Sequence, residues 1–428
     1  MLFLLLALAC TDDPATCGTG GAPASLTVTF DVPDLDWTSK PKVRVYDADA
    51  TFVADLSPGE SVLEDLAPGP YTLVTVRATA PSTPGGEGGD PSFSEVAYGR
   101  LTDTVEVVCV AGDAAATVSY ALQPSSGHLF VSSGERIAGF AAADLVGGGD
   151  ALTADISLDL SLVNGLHAFH FDPLGNLWAA TEATYGARFL VFEPGSVSGV
   201  GAVEPDYELA VPEFADNDRL TDFAFADDGS LWVSVAHDDT SFVGLYHFST
   251  AQGFAALRGE EVAAPAETYT VAGLLTPDDL VIDGGALWIA DFDQDAVVRV
   301  EVGAAGGTTL TPTHTVSVFH DAKLTTPFRG PTDLLLDAEG GLWVNWWTDA
   351  ALTRLLVPRD GAQLPDSVYQ PDSLALVAGL AGDLGGGLWY GQEGATGALH
   401  RVIGGSVSAT HTTAETPVPT DLVVDPAP

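Results

Sequence analysis

Carboxylates recur at one kind of place in this chain. Asp222, Asp279, Asp333 and Asp421 each stand immediately before an apolar run: Phe223-Ala224-Phe225, Leu280-Val281-Ile282, Leu334-Leu335-Leu336 and Leu422-Val423-Val424. If these segments are copies arranged around an axis, the four carboxylates converge. Carboxylates held together repel unless a cation or shared protons compensate. The oxygen-rich set suits Ca2+, a hard cation that takes about six to eight oxygens, with Asp278, Asp279 and Asp333 as candidate metal ligands. The alternative is structural: each Asp accepts backbone N–H groups of its own or an adjacent repeat. About a dozen residues beyond each copy comes a second group with binding potential: Glu182, His237 (with Asp238 and Asp239), Asp291 (with Asp293), the pair Trp346-Trp347, and Glu393. Two adjacent Trp at the mouth of a site either stack on a sugar ring or pack beneath a loop. Period-two alternation puts His167, Phe169 and Phe171 on one side of a strand and His170 on the other. That places His167 at the channel mouth as a candidate general base. Asp278 is the other weak catalytic candidate. No nucleophile elbow, H-E-x-x-H or P-loop is present.

The elements that would position these groups come from an internal repeat. Its copies run Ala168–Trp178, Asp222–Trp232, Asp279–Trp288, Asp333–Trp343 and Gly379–Trp389, with the Trp residues 54, 56, 55 and 46 positions apart. A sixth copy is split, its first half at Asp421–Asp425 and its second at Gly127–Ser132. A repeat that begins at one end of a domain and finishes at the other is what ring closure requires, because an open array leaves sheet edges unpaired. Residues 126–428 are therefore expected to form a six-bladed β-propeller, closed by pairing Asp421–Asp425 with Gly127–Ser132. The second Asp of each unit (Asp172, Asp227, Asp283, Asp337, Asp383, Asp425) precedes a Gly-rich turn and reads as an Asx-turn; the Leu-Trp pairs read as packing between sheets.

The unit D-L-x-x-D-x-x-G-x-L-W resembles NHL-type repeats, and the six-bladed gluconolactonase (senescence-marker protein) and virginiamycin B lyase groups. The gluconolactonase resemblance implies a divalent cation held by a Glu, an Asn and an Asp at blade starts. Asp278, in Pro277-Asp278-Asp279, is the residue here that matches. This implies, as one reading, a metal-dependent hydrolase or lyase. The other is a ligand- or partner-binding module without chemistry.

Residues 25–122 alternate with period two in several short stretches and are expected to form a β-sandwich. Within them, Leu63-Glu-Asp-Leu66-Ala-Pro68-Gly69-Pro-Tyr71-Thr72-Leu73 resembles the signature of carboxypeptidase-regulatory-like (prealbumin-like) sandwiches, with Tyr71 and Leu73 facing inward. The fold class is thus all-β: a sandwich followed by a propeller.

Leu2 to Ala9 form an apolar run ending in Ala9-Cys10, too short to span a bilayer, which takes about 20 residues. The segment resembles a bacterial lipoprotein signal: residues 1–9 as signal peptide, Cys10 as the lipidated residue and 10–24 as a tether. That implies export, with a lipid anchor on the periplasmic side or cell surface as the membrane contact. With Cys10 acylated, Cys17 and Cys109 are left either to form a disulfide, which an export compartment permits, or to stay as two buried thiols.

The charge balance narrows the partners. With 59 acidic and 15 basic residues among 428, the net charge is −44. Lys40, Lys42 and Lys323 are the only lysines. No basic stripe exists to neutralise phosphates, which excludes nucleic acid. An envelope protein or a saccharide is the expected ligand, and the chain is expected to act as a monomer.

Overall fold

The computed structural model describes Cys17 and residues 23–425, apart from segments 32–41, 77–96, 101–104, 161–165, 182–187, 211–217, 238–242, 258–263, 303–307, 371–376, 414–420 and shorter breaks. The chain divides into two compact units, residues 1–81 with 97–123, and 82–96 with 124–428.

In the smaller unit, one sheet carries Ala24–Asp31 between Val62–Leu66 and Asp113–Ser119, and a second carries Phe52–Leu56, Lys42–Tyr46, Gly69–Val76 and Val105–Val110. Alternate residues of both, including Leu26, Val28, Val43, Val45, Tyr71 and Leu73, share one apolar core. Period-two side-chain alternation puts exactly one face of each strand there. The Tyr71 hydroxyl donates to Ala67 O at 2.9 Å, tying the strand back onto the Pro68-Gly69 turn. Cys17 and Cys109 are bonded, S–S 2.11 Å.

In the larger unit, the described residues form six antiparallel sheets of four strands, four of them carrying an additional parallel strand. The innermost strands are Asp421–Asp425, Leu166–Phe171, Asp218–Phe225, Pro277–Asp283, Pro331–Leu336 and Val377–Gly382. We number the sheets first to sixth in that order. Each inner strand packs on the next, and the last packs on the first, so the ring is closed. This is a β-propeller. The closing strand is C-terminal: Asp421 lies opposite Ser132 and Asp425 opposite His128. Apolar side chains fill the spaces between sheets. Trp346, Val344 and Leu334 of the fifth sheet, for example, pack with Trp288 and Val297 of the fourth.

The second Asp of the repeat does two jobs. Asp172 Oδ1 accepts Asn176 N–H at 2.9 Å, closing the turn, while Oδ2 accepts the Trp178 indole N–H at 2.8 Å. Asp383 repeats this with Gly387 N–H and the Trp389 indole, both at 2.9 Å. Asp337 takes Gly341 N–H and the Trp343 indole. In the fifth and sixth sheets an Arg opposite the Trp, Arg354 or Arg401, adds its Nε to the same carboxylate. The third sheet departs from the expected frame. Ala226, not Asp227, makes the turn bonds that Asp172 makes, with N–H to Ser230 O and O from Gly229 N–H. Asp227 itself lies outside the described residues, and Trp232 instead stacks on His247 at 4.1 Å.

Candidate functional site

The axial aspartates are positioned by bulges. Five of the six inner strands break register at the channel mouth: between Leu166 and Ala168, Leu220 and Asp222, Pro277 and Leu280, Pro331 and Asp333, and Ala378 and Leu380. A bulge adds a residue on one strand only and re-aims the next side chain. Polar groups on the second strand hold these bulges. Ser234 Oγ accepts Asp222 N–H at 3.0 Å and bonds Thr221 Oγ1 at 2.7 Å. Asn345 Nδ2 donates to Thr332 Oγ1 at 3.0 Å and Asp333 Oδ2 at 2.6 Å.

Each axial carboxylate then reaches into the following sheet. Asp421 Oδ2 accepts Phe169 N–H at 3.0 Å, Asp222 Oδ2 accepts Leu280 N–H at 3.0 Å, Asp279 Oδ2 accepts Leu334 N–H, and Asp333 Oδ1 accepts Gly379 N–H at 3.0 Å. Four of the six joints are thereby tied. At the other two the corresponding residue is Ala168 or Gly379, which has no carboxylate. The joint after Ala168 is bridged by His170, whose Nε2 lies 2.7 Å from Asp222 Oδ1 and whose ring meets Phe223 edge-on at 5.0 Å. The joint after Gly379 closes by direct approach. A Cβ on Gly379, whose φ is +65°, would lie 2.8 Å from Asp421 Cα. Only a residue without a side chain permits this. The Leu422 N–H there is accepted by Asp421 Oδ1 at 2.7 Å.

Burial dominates the electrostatics. It raises the pKa of all four axial aspartates above the ordinary carboxylate value. Asp421 is pushed up to about 7, with the nearby His170 opposing the rise. Burial raises Asp222 to about 7 and Asp279 well above its usual value, the charge of the neighbouring Asp222 adding to the rise at Asp279. Donated N–H groups and raised pKa values therefore ease the repulsion at the axis. Among the described residues no group of three or more His, Cys, Asp or Glu is arranged to hold a metal ion. Asp279 Oδ2 and Asp333 Oδ1 each accept an N–H from the neighbouring sheet, and Asp333 Oδ2 accepts from Thr332 and Asn345 of its own. Asp278 shares its bulge with Asp279 opposite Ala290 and makes interactions of its own.

The remaining candidates fall in several places. Asp291 is fully buried and caps the loop before its sheet, accepting Leu275 and Thr276 N–H at 2.9 Å each. Trp346 is buried, its indole donating to Thr353 Oγ1 at 2.7 Å, whereas Trp347 is 38% exposed beside Phe292, ring centroids 6.1 Å apart. His237 ends its strand, with its side chain outside the described part, where Glu182, Glu393 and Cys10 also lie. His167 sits in the bulge, half-buried and with interactions of its own. The bulge at the mouth holds His167, while His170, on the other side of the strand from Phe169 and Phe171, reaches across to the next sheet. Ser234 and Asn345 escaped notice because small polar residues inside apolar strands carry no motif.

The chain matches no protein-family model and no curated protein. Among solved structures it is similar to a Bacteroides caccae protein of unknown function (TM-score 0.45, 11% identity, covering 70% of this chain and 98% of that one). It is also similar to a luciferin-regenerating enzyme (TM-score 0.43, 16% identity, 67% and 91%) and to Staphylococcus aureus virginiamycin B lyase (TM-score 0.37, 12% identity, 57% and 69%).

Proposed function

We propose that this chain is an exported, lipid-anchored envelope protein whose six-bladed propeller binds a ligand or partner without chemistry. The observation behind this reading is the use made of the axial carboxylates. Asp222, Asp333 and Asp421 commit both oxygens to hydrogen bonds within the ring, and Asp279 Oδ2 accepts Leu334 N–H. A group that clamps the scaffold is not free to ligate a cation or move a substrate proton. Binding is then left to the mouth, where Trp347 and Phe292 offer an exposed aromatic edge suited to a saccharide ring or a partner's side chain. The smaller unit, a β-sandwich, serves as a spacer from the membrane.

Thermal melts with calcium and with chelator, alongside metal analysis of the purified protein, test the reading. The expected result is no shift and no stoichiometric metal. A ligand at about 100-fold over its dissociation constant would stabilise by about 2.7 kcal/mol. A calcium shift of that size with one equivalent bound would overturn the reading in favour of a metal-dependent hydrolase or lyase. Cys10→Ser tests the anchor: the variant should leave the membrane fraction.

A further inference from the structure

The six sheets do not finish in the same way at the rim. In four of them a short parallel strand covers the outermost strand, and it comes from the following sheet's connection between its third and fourth strands. Val200–Ala202 covers the first sheet, Thr309–Leu310 the third, Gly361–Gln363 the fourth and Gly149–Leu152 the sixth. The second sheet has no such strand; Gln252 and Ala256 of the helix Thr250–Leu257, in the third sheet's connection, line one small cavity with Leu209 of its outermost strand Tyr207–Ala210. The fifth sheet receives neither. The connection that would serve it joins Gly397–Ile403 to Ser406–Thr413, and Ile403 already lies opposite Ser406. Among the described residues no element pairs with the outer side of Ser367–Tyr369.

The register shows what that edge offers. Arg299 lies opposite His314 in the fourth sheet and Arg354 opposite Ser367 in the fifth, so Val368 corresponds to Thr315. His247 lies opposite Glu267 in the third sheet, so Gln370 corresponds to Thr270. The covering segments accept both corresponding amides: Thr315 N–H goes to Asp360 Oδ1 at 2.9 Å and Thr270 N–H to Thr308 O at 2.9 Å. Val368 and Gln370 therefore point the same donors outward. Val368 is also 46% exposed, and Leu356, Val357 and Leu364 of the same connection are exposed with it. An uncovered edge bearing apolar side chains is a template for another strand.

We propose that the fifth sheet's outer edge binds an extended, basic peptide segment of a partner protein. The segment lies parallel to Ser367–Tyr369 in the place that the chain's own strands occupy elsewhere. Parallel addition follows the four covered edges. The basic character follows from charge: the chain carries −44, and Glu339, paired to Arg354 beside Ser367, is 75% exposed.

Amide hydrogen exchange on the full chain tests this, with the synthetic peptide Lys-Val-Gly-Ala-Lys-Lys, patterned on the covering segment Val200-Gly201-Ala202, as the probe. In the free protein Val368 and Gln370 amides should exchange fast while Thr270 and Phe319 are protected. Millimolar peptide should slow Val368 and Gln370 by roughly tenfold, less at high salt. Val368→Pro removes the outward N–H at an edge position that tolerates proline. It should leave the melting temperature unchanged and abolish the peptide effect. The proposal is overturned if Val368 and Gln370 are already as protected as Thr270. It is overturned equally if the peptide protects nothing, or protects the proline variant equally. Protection that rises with protein concentration alone would make a second copy of this chain the occupant. None of these results bears on the calcium test, so the two readings fail separately.

Discussion

Replacing Asp279 by Asn puts a permanently uncharged isostere where burial disfavours the carboxylate. The Asn side-chain oxygen can still accept Leu334 N–H, so that bond across the joint is preserved. The consequence is read in the pH dependence. A carboxyl whose folded-state pKa is raised binds more protons folded than unfolded. Its stabilising effect is complete below the unfolded value and is lost as pH rises through the folded one. Asp421, pushed up to about 7 from 3.8, therefore weakens the fold across neutrality. Between pH 6.5 and 8.5 linkage assigns it about 1 kcal/mol. Asp279, raised well above its usual value by burial, acts in the same direction. His400, lowered to about 4, opposes this only at the lower end of the window, where an unfolded histidine is still part-protonated. Urea melts at pH 6.5, 7.5 and 8.5 should show the wild-type propeller losing about 1 to 3 kcal/mol, a few degrees in melting temperature. Asp279→Asn should lose clearly less and be the more stable protein at pH 8.5. Stability that is flat or rising over this range would refute the reasoning. So would an Asn variant as damaged as Asp279→Ala.

Three further outcomes follow from the packing. Gly253→Ala should destabilise by several kcal/mol in a urea melt, because its Cβ would sit 1.8 Å from Gly229 O, a backbone atom that cannot move aside. Asp383→Ala should cost about 3 to 5 kcal/mol, because it strands the buried Arg401 guanidinium along with the Trp389 indole and Gly387 N–H. The melt should also show a larger loss than His170→Ala, which removes one bridge and costs about 1 to 3 kcal/mol. Reducing Cys17–Cys109, a sequence separation of 92, should lower stability by about 4 to 5 kcal/mol in the chain-entropy model, seen as an earlier melt in dithiothreitol.

The larger features of the fold were legible because they are periodic. The Trp spacing announced the sheets, and the split sixth copy announced its own closure, which is realised residue for residue between His128–Ser132 and Asp421–Asp425. The site was legible only as a set of positions. That Asp222, Asp279, Asp333 and Asp421 converge follows from symmetry. What they bind there does not, because the partner N–H groups belong to a different repeat some 50 positions away. The exceptions were hidden for the same reason. Ala168 and Gly379 merely look like failed copies until His170 and the close approach to Asp421 show what replaces the missing carboxylate. Bulges leave no signature in a hydrophobic pattern, and neither does the partner that His170 finds on the next sheet.

The closing strand also bears on the order of events in folding. Asp425 pairs with His128, a sequence separation of 425 − 128 = 297. Loop-closure entropy must be met before such a contact gives any return, so pairings of this separation form late and slowly. Five of the sheets can assemble from neighbouring hairpins as soon as each is made. The first waits with an unpaired inner edge until the final strand arrives. During that interval the ring is a curved, open stack with adhesive ends. A chain crossing a membrane unfolded would pass through the same interval on the far side. The last step of folding thus also removes the first sheet's open inner edge.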